Sequence, residues 1–190
     1  MRAFTLTALL IAAFVLGGCT AGRMNHDEYD RFRSRADATV ETFRAKHADS
    51  IDNAAGYAVF PVVGKGGWGI SLGFGRGLVY AEGEPIGVTG FNAGNIGFTL
   101  GGQAYEQMLL LHSPADVEKF TGGPWTGAAQ ANAVFGPWGA SADADFRSGQ
   151  ELITEDIWGL MYEATIGLNK YNYRSLDSAI RAEGPDDMDG

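Results

Sequence analysis

Glycine alternates with large apolar residues between Gly67 and Tyr80, and this alternation constrains the fold more than any other feature of the sequence. The large residues share one parity: Trp68, Ile70, Leu72, Phe74, Leu78 and Tyr80. The other parity is mostly glycine: Gly67, Gly69, Gly73, Gly75 and Gly77. A period of two is typical of a β-strand, and a bare glycine face lets a strand coil strongly or lets another segment approach closely. We therefore expect a curved sheet with a neighbouring segment packed close to Gly69, Gly73 and Gly75.

Similar apolar runs, separated by turn residues, continue along the chain and predict about seven to nine short strands. The predicted strands lie at 55–61, 63–80, 85–91, 94–103, 104–112, 125–135, 138–146 and within 157–173. Ser113 and Pro114 are a helix start signal, which predicts a short helix near residues 114–121.

A helix is predicted over residues 25–46, before the first strand. Its apolar stripe has spacings of 3, 4, 4 and 3 residues: Tyr29, Phe32, Ala36, Val40 and Phe43. Asn25 is the expected N-cap. The predicted fold class is therefore α+β, with a curved, mainly antiparallel, glycine-rich sheet, an N-terminal amphipathic helix and one short helix near residues 114–121.

Composition excludes several classes of function. The chain has 190 residues, 45% of them hydrophobic, which suits one domain with a proper core. Fourteen basic against 23 acidic residues give a net charge of −9, so nucleic acid is not an expected partner. The single cysteine excludes an intramolecular disulfide framework.

The N-terminal segment has the layout of an export signal. Arg2 precedes an apolar run that ends in Leu-Gly-Gly-Cys19, and the run is short for a membrane-spanning helix. This ending resembles a bacterial lipobox, which implies a lipoprotein signal peptide over 1–18, acylation of Cys19 and a tether over 19–24. Thr20, in place of the aspartate of inner-membrane retention signals, favours a lipid anchor in the outer membrane facing the periplasm, with surface exposure left open. The alternative is an ordinary signal peptide with an incidental cysteine.

Motifs that would indicate catalysis are weak. The glycine-rich stretches at 64–69 and 73–77 fit neither a P-loop nor a dinucleotide-binding turn, because strand alternation continues through them. Asp143 and Asp145 share a predicted strand face, where they either act as a carboxylate pair or are simply solvated. The histidines (His26, His47 and His112) fall in separate elements without ligand spacing. We predict no enzyme activity, no metal and no cofactor.

Several segments, taken in order, resemble the SYLF lipid-binding domain. The stretch at 55–79 is similar to the opening of that domain, 91–120 to its centre, 125–146 to its glycine-rich later segment and 159–172 to its last strands. The resemblance implies curved antiparallel strands with helices, and lipid binding in place of catalysis. Eukaryotic members bind phosphoinositides and take part in membrane and actin remodelling, and bacterial members are usually lipoproteins or exported proteins.

These observations predict a single domain over 25–174, followed by an acidic, disordered tail over 175–190. Membrane phospholipid is the expected partner. The candidate lipid-binding residues are the helix residues Arg31, Arg33 and Arg35, with smaller contributions from Lys65 and Arg76. Two alternatives stay open: the helix arginines are merely solvated, or the chain is a structural or adaptor lipoprotein whose sheet face binds another envelope protein.

Overall fold

The computed structural model describes residues 23–123, 125–136, 138–142 and 150–180. Its helices are α1 (His26–Asp52), α2 (Pro114–Thr121) and α3 (Leu176–Ala179). Its strands are β1 (Gly56–Ala81), β2 (Glu84–Leu111), β3 (Trp125–Gly136), β4 (Trp138–Ala142) and β5 (Gln150–Ser175). The strands form one antiparallel sheet in the order β1-β2-β5-β3-β4. The predicted α+β class with a curved antiparallel sheet is confirmed.

The strands are fewer and longer than the sequence predicts. Segments 55–61 and 63–80 form the single strand β1, and the three segments between 85 and 112 form β2. The prediction of seven to nine strands is therefore wrong, since the described residues form five. Glycine-rich stretches and a proline are typical strand ends, but here the backbone bends and bulges through them while cross-strand pairing continues.

Strand β1 bends back on itself around Gly69. A register shift lies between Trp68 and Ile70, and Gly69 has a φ of +76°, which a residue with a side chain rarely adopts. After the bend, a Cβ placed on Gly77 would lie 2.7 Å from the Phe60 ring, so the two halves of the strand face each other closely.

The predicted close approach at the glycine face is confirmed at two of its three positions. A Cβ on Gly73 would lie 3.2 Å from the Ala93 Cβ, and one on Gly75 would lie 3.0 Å from Val63 Cγ2. At Gly69 the prediction is wrong, because no atom lies within 4 Å of a Cβ built there. The positive φ at the bend, and not a close neighbour, explains glycine at this position.

The two halves of the bent sheet enclose an aromatic core. Phe60, Phe91 and Tyr171 lie with ring centroids 5.3 to 5.8 Å apart. Phe120 of α2 adds a fourth ring, 5.7 Å from Tyr171. Helix α2 begins as predicted, with Ser113 and Asp116 in a capping box and Pro114 in the first turn.

Helix α1 covers the outer face of the sheet at the end opposite the bend. Asn25 caps it through a capping box with Glu28, which confirms the predicted N-cap. The predicted stripe is buried, with Phe32 partly so, and it packs against outward-facing residues such as Leu78 and Tyr80. The helix is longer than predicted, because it continues through a kink at His47 to Asp52.

The C-terminal part of α1 is held to β5 by charge. Lys46 Nζ lies 2.7 Å from Glu155 Oε2, and His47 Nε2 lies 2.7 Å from Glu155 Oε1. The Glu155 carboxylate thus bonds both residues at the kink. This contact fixes the position of the last turns of the helix on the sheet.

Tyr80 joins the middle of α1 to β1, and we predict that this contact makes stability fall in alkali. Its hydroxyl donates to Asp37 Oδ1 at 2.5 Å, and burial together with Asp37 raises its pKa well above 10.0. Above pH 10 the unfolded tyrosine loses its proton while the folded one keeps it, so the free energy of unfolding falls by up to about 1.4 kcal/mol per pH unit. Urea unfolding of the parent and of Tyr80→Phe between pH 9 and 11 measures this. Equal slopes for the two proteins would contradict the prediction.

The two ends of the described chain meet. Met24 and Ile180 form a parallel bridge, and the Met24 N–H donates to the Ala179 carbonyl at 2.8 Å. Met24 lies in the predicted tether and α3 lies beyond the predicted domain end at 174, yet Met24 and Ala179 are both buried. The folded part therefore includes Met24 and α3, the described residues just outside the predicted domain bounds.

Candidate functional site

An open cleft of about 520 Å³ lies between α1 and β1, and arginine dominates its walls. Its lining residues are Arg23, Met24, Glu28, Arg31, Phe32, Arg35 and Arg76. The helix contributes positions 28, 31, 32 and 35, which share one side of an α-helix beside the buried stripe. We call this feature the arginine cleft.

Arg76 reaches the arginine cleft from the sheet. It lies on the outer face of β1, two residues before Leu78, which packs under α1. Its cross-strand partner on β2 is Gly90, which has no side chain to compete for this space. The bend of the sheet and the docking of α1 thus bring Arg76 beside Arg31 and Arg35, although more than 40 residues of sequence separate them.

The arginine cleft is strongly positive. Four guanidinium groups face one carboxylate, that of Glu28, which also serves the helix cap. Arg31 Nε donates to the Asp27 carbonyl at 3.2 Å. Among the described residues, Arg35 and Arg76 have no ion pair or side-chain hydrogen bond. Guanidinium groups grouped in this way favour a phosphate or carboxylate, whose oxygens accept paired hydrogen bonds.

The other predicted lipid-binding residues lie elsewhere. Arg33 is on a different side of α1, where its Nε lies 3.7 Å from Asp37 Oδ2. Lys65 is on the inner face of the sheet, opposite Gln103, and only 8% exposed. The structure therefore brings together Arg31, Arg35 and Arg76 of the five predicted residues. Arg23 also lines the arginine cleft but is not among the predicted residues. It lies two residues before the helix cap Asn25, and this position close to Arg31 on the helix is the signal that could have identified it.

A second feature lies on the outer face around the bend, where large apolar side chains point away from the protein. Their exposed fractions run from 46% for Leu72 to 89% for Trp68. We call them the apolar tip, and they are Trp68, Ile70, Leu72 and Phe74 of β1 with Ile96, Phe98 and Leu100 of β2. The pairs Trp68–Leu100 and Ile70–Ile96 are direct cross-strand partners, so they share one face.

The inner face of the same bend carries polar side chains. Ser71, Asn95 and Thr99 are at most 1% exposed, although their strand neighbours belong to the apolar tip. Asn95 Nδ2 donates to Ser71 Oγ at 3.1 Å. Apolar side chains therefore lie outside and polar side chains inside, which reverses the arrangement normal for a protein surface in water.

The described residues also bear on metal binding and on membrane-spanning helices. Within them, no three histidine, cysteine or acidic side chains are placed to hold a metal ion. No helix in those ranges is long and apolar enough to cross a membrane. Cys19, Asp143 and Asp145 lie outside the described residues, so their predicted roles stay predictions.

A bent antiparallel sheet with a covering amphipathic helix and a positive cleft places this protein among small α+β domains. A family model named Ysc84, described as "Las17-binding protein actin regulator", matches residues 92–170, from the middle of β2 to β5. The predicted family is confirmed over this region: residues 92–170 match a Ysc84 (SYLF) domain, a type of binding domain. No curated protein and no solved structure matches the chain. The match includes Ile96, Phe98 and Leu100 of the apolar tip and excludes α1 and Arg76.

Proposed function

We propose that this protein is a non-catalytic lipid-binding lipoprotein of the bacterial cell envelope, which binds the phosphate groups of anionic phospholipid in its arginine cleft. The observation that carries the proposal is the convergence of Arg23, Arg31, Arg35 and Arg76 on one open cleft. The mature chain is acidic overall, so attraction to an anionic membrane needs such a local group of positive charges. The outer membrane, with the domain facing the periplasm, is the proposed location.

The length of the tether supports this placement. Met24 lies five positions after Cys19, and an extended chain of five such steps spans at most about 18 Å. Met24 itself lines the arginine cleft. If Cys19 is acylated, this short tether lets the arginine cleft approach the membrane to within the Debye length of about 10 Å, where lipid headgroup charges act on it.

Co-sedimentation with anionic vesicles tests the proposal, using a form that lacks residues 1–19 and hence the anchor. We expect weak binding at low salt and release near physiological salt. The variant Arg31→Ser/Arg35→Ser/Arg76→Ser should bind about a hundredfold more weakly at low salt, because each basic residue contributes about 1 kcal/mol near an anionic surface.

Arg33→Ser and Lys65→Ala are the matched controls, since each removes one positive charge outside the arginine cleft. Both should bind like the parent protein. If the triple variant also binds like the parent, the arginine cleft has no role in lipid binding. If the parent binds no vesicles but retains an envelope protein in a pull-down, the alternative holds: an adaptor lipoprotein that binds a protein through its sheet face.

A further inference from the structure

We propose that the apolar tip inserts into the headgroup-proximal part of the acyl region of one membrane leaflet while the arginine cleft contacts the lipid phosphates. This inference rests on the proposed lipid-binding function and adds an orientation, a depth and a hydrophobic contact. The occupant of the apolar tip is then hydrocarbon, and the first side chain to enter it is Trp68, which is 89% exposed.

The polarity of the bend is the reverse of that expected for strands in water. Ile96 and Phe98 are 75% and 64% exposed, while Asn95 and Thr99, which flank this pair in the strand, are buried. An amphipathic strand in water turns its apolar side chains inward. In both β1 and β2 the apolar side chains of the bend point outward and the polar ones inward, which fits a strand pair whose outer surroundings are apolar.

The positive charges of the arginine cleft lie directly beside the apolar tip. Arg76 follows Phe74 on the same face of β1, so the apolar tip ends where the arginine cleft begins. At about 3.3 Å per residue, Phe74 lies roughly 7 Å and Ile70 roughly 20 Å beyond Arg76 along the strand. One leaflet contributes about half of the ~30 Å hydrocarbon core. The apolar tip therefore has the length of one leaflet and not of a whole bilayer.

The edge of the sheet limits the depth. Residues 94–96 of β2 pair with β1 on one side and β5 on the other, which satisfies their backbone groups. Among the described strands, β1 is at the edge of the sheet, and an edge in contact with hydrocarbon would be unfavourable because edge backbone groups need water or headgroups. The strands therefore lie obliquely, with side chains in the upper acyl region and the free edge at the interface, where tryptophan is favoured.

Fluorescence quenching by brominated lipids measures how deeply Trp68 enters the acyl region of the membrane. The anchorless form with Trp125, Trp138 and Trp158 changed to phenylalanine keeps Trp68 as its one tryptophan, and its circular dichroism is compared with that of the parent. With anionic vesicles at low salt, Trp68 emission should shift to the blue. Bromines in the upper half of the acyl chain should quench it more than bromines near the chain end.

A second pair of variants needs no change to the other tryptophans. Trp68→Ser/Phe98→Ser should lower the vesicle partition coefficient about a hundredfold, since each ring loses its burial in hydrocarbon. Val62→Ser is the matched control, because Val62 is a 56% exposed apolar residue of β1 outside the apolar tip, and it should bind like the parent.

The outcomes separate this inference from the proposed function. Binding that depends on the arginine cleft without quenching of Trp68, or with the Trp68→Ser/Phe98→Ser variant unaffected, overturns insertion and leaves the proposed function intact. A parent protein that binds no anionic vesicles overturns both. A stable dimer in solution that Trp68→Ser/Phe98→Ser dissociates means that a second copy covers the apolar tip, and this also overturns insertion.

Discussion

Phe43→Ala should lower the free energy of unfolding by about 3–5 kcal/mol, the usual cost of truncating a fully buried phenylalanine. The Phe43 side chain is completely buried between α1 and the outer face of the sheet. For a chain of this length, such a loss lowers the melting temperature by about 6–20 °C. Calorimetry or urea unfolding of the anchorless form measures it.

Phe98→Ala is the matched control, because it makes the same chemical change at an exposed site of the apolar tip. We expect a stability change within about 0.5 kcal/mol, as for most surface substitutions, together with weaker vesicle binding. The two variants thus separate a phenylalanine that holds the fold from one that contacts lipid. Comparable destabilisation by both would show that the apolar tip is covered within the folded protein.

Gly77→Val should destabilise the protein by about 1–3 kcal/mol, the range for overpacking in a well-packed interior. A Cβ at this position would lie 2.7 Å from two carbons of the Phe60 ring and 2.8 Å from the Val59 carbonyl oxygen. The ring can turn, but the carbonyl belongs to the other half of β1, so the halves of the bent strand have to separate. The melting temperature reports this change.

Gly94→Val provides the comparison for Gly77→Val. Gly94 is exposed on the neighbouring strand, and no atom lies within 4 Å of a Cβ built there. A β-branched residue suits a strand, so we expect stability equal to or slightly above that of the parent. Equal loss in the two variants would mean that glycine is needed for chain flexibility and not for close approach.

The features that the sequence predicts correctly are those whose decisive interactions are local. The capping boxes at Asn25 and Ser113 follow from residues three apart, and the buried stripe of α1 follows from helical spacing. Helical spacing could also have separated the arginines, since Arg31 and Arg35 are four residues apart whereas Arg33 lies on another side of the helix.

The parts that sequence reasoning missed depend on distant contacts. Whether the alternating face of β1 is covered depends on how far α1 reaches: Leu78 and Tyr80 are buried under it, whereas Phe74 and Leu72 are exposed. The sequence spacing of two residues is the same for the buried pair and for the exposed pair, so it cannot tell them apart. The grouping of Arg76 with the helix arginines likewise requires the docked helix, and the continuity of β1 requires the pairing with β2.

The bridge between Met24 and Ile180 makes the domain suitable for circular permutation. A short linker joining these neighbours would let new termini be opened at Glu82 and Gly83, the exposed turn between β1 and β2. Exposed loop tips of this kind are where circular permutation most often succeeds. The permuted protein would retain every strand pair, and its free ends would lie far along β1 from the apolar tip. A dye or affinity handle attached there would leave both the apolar tip and the arginine cleft unobstructed.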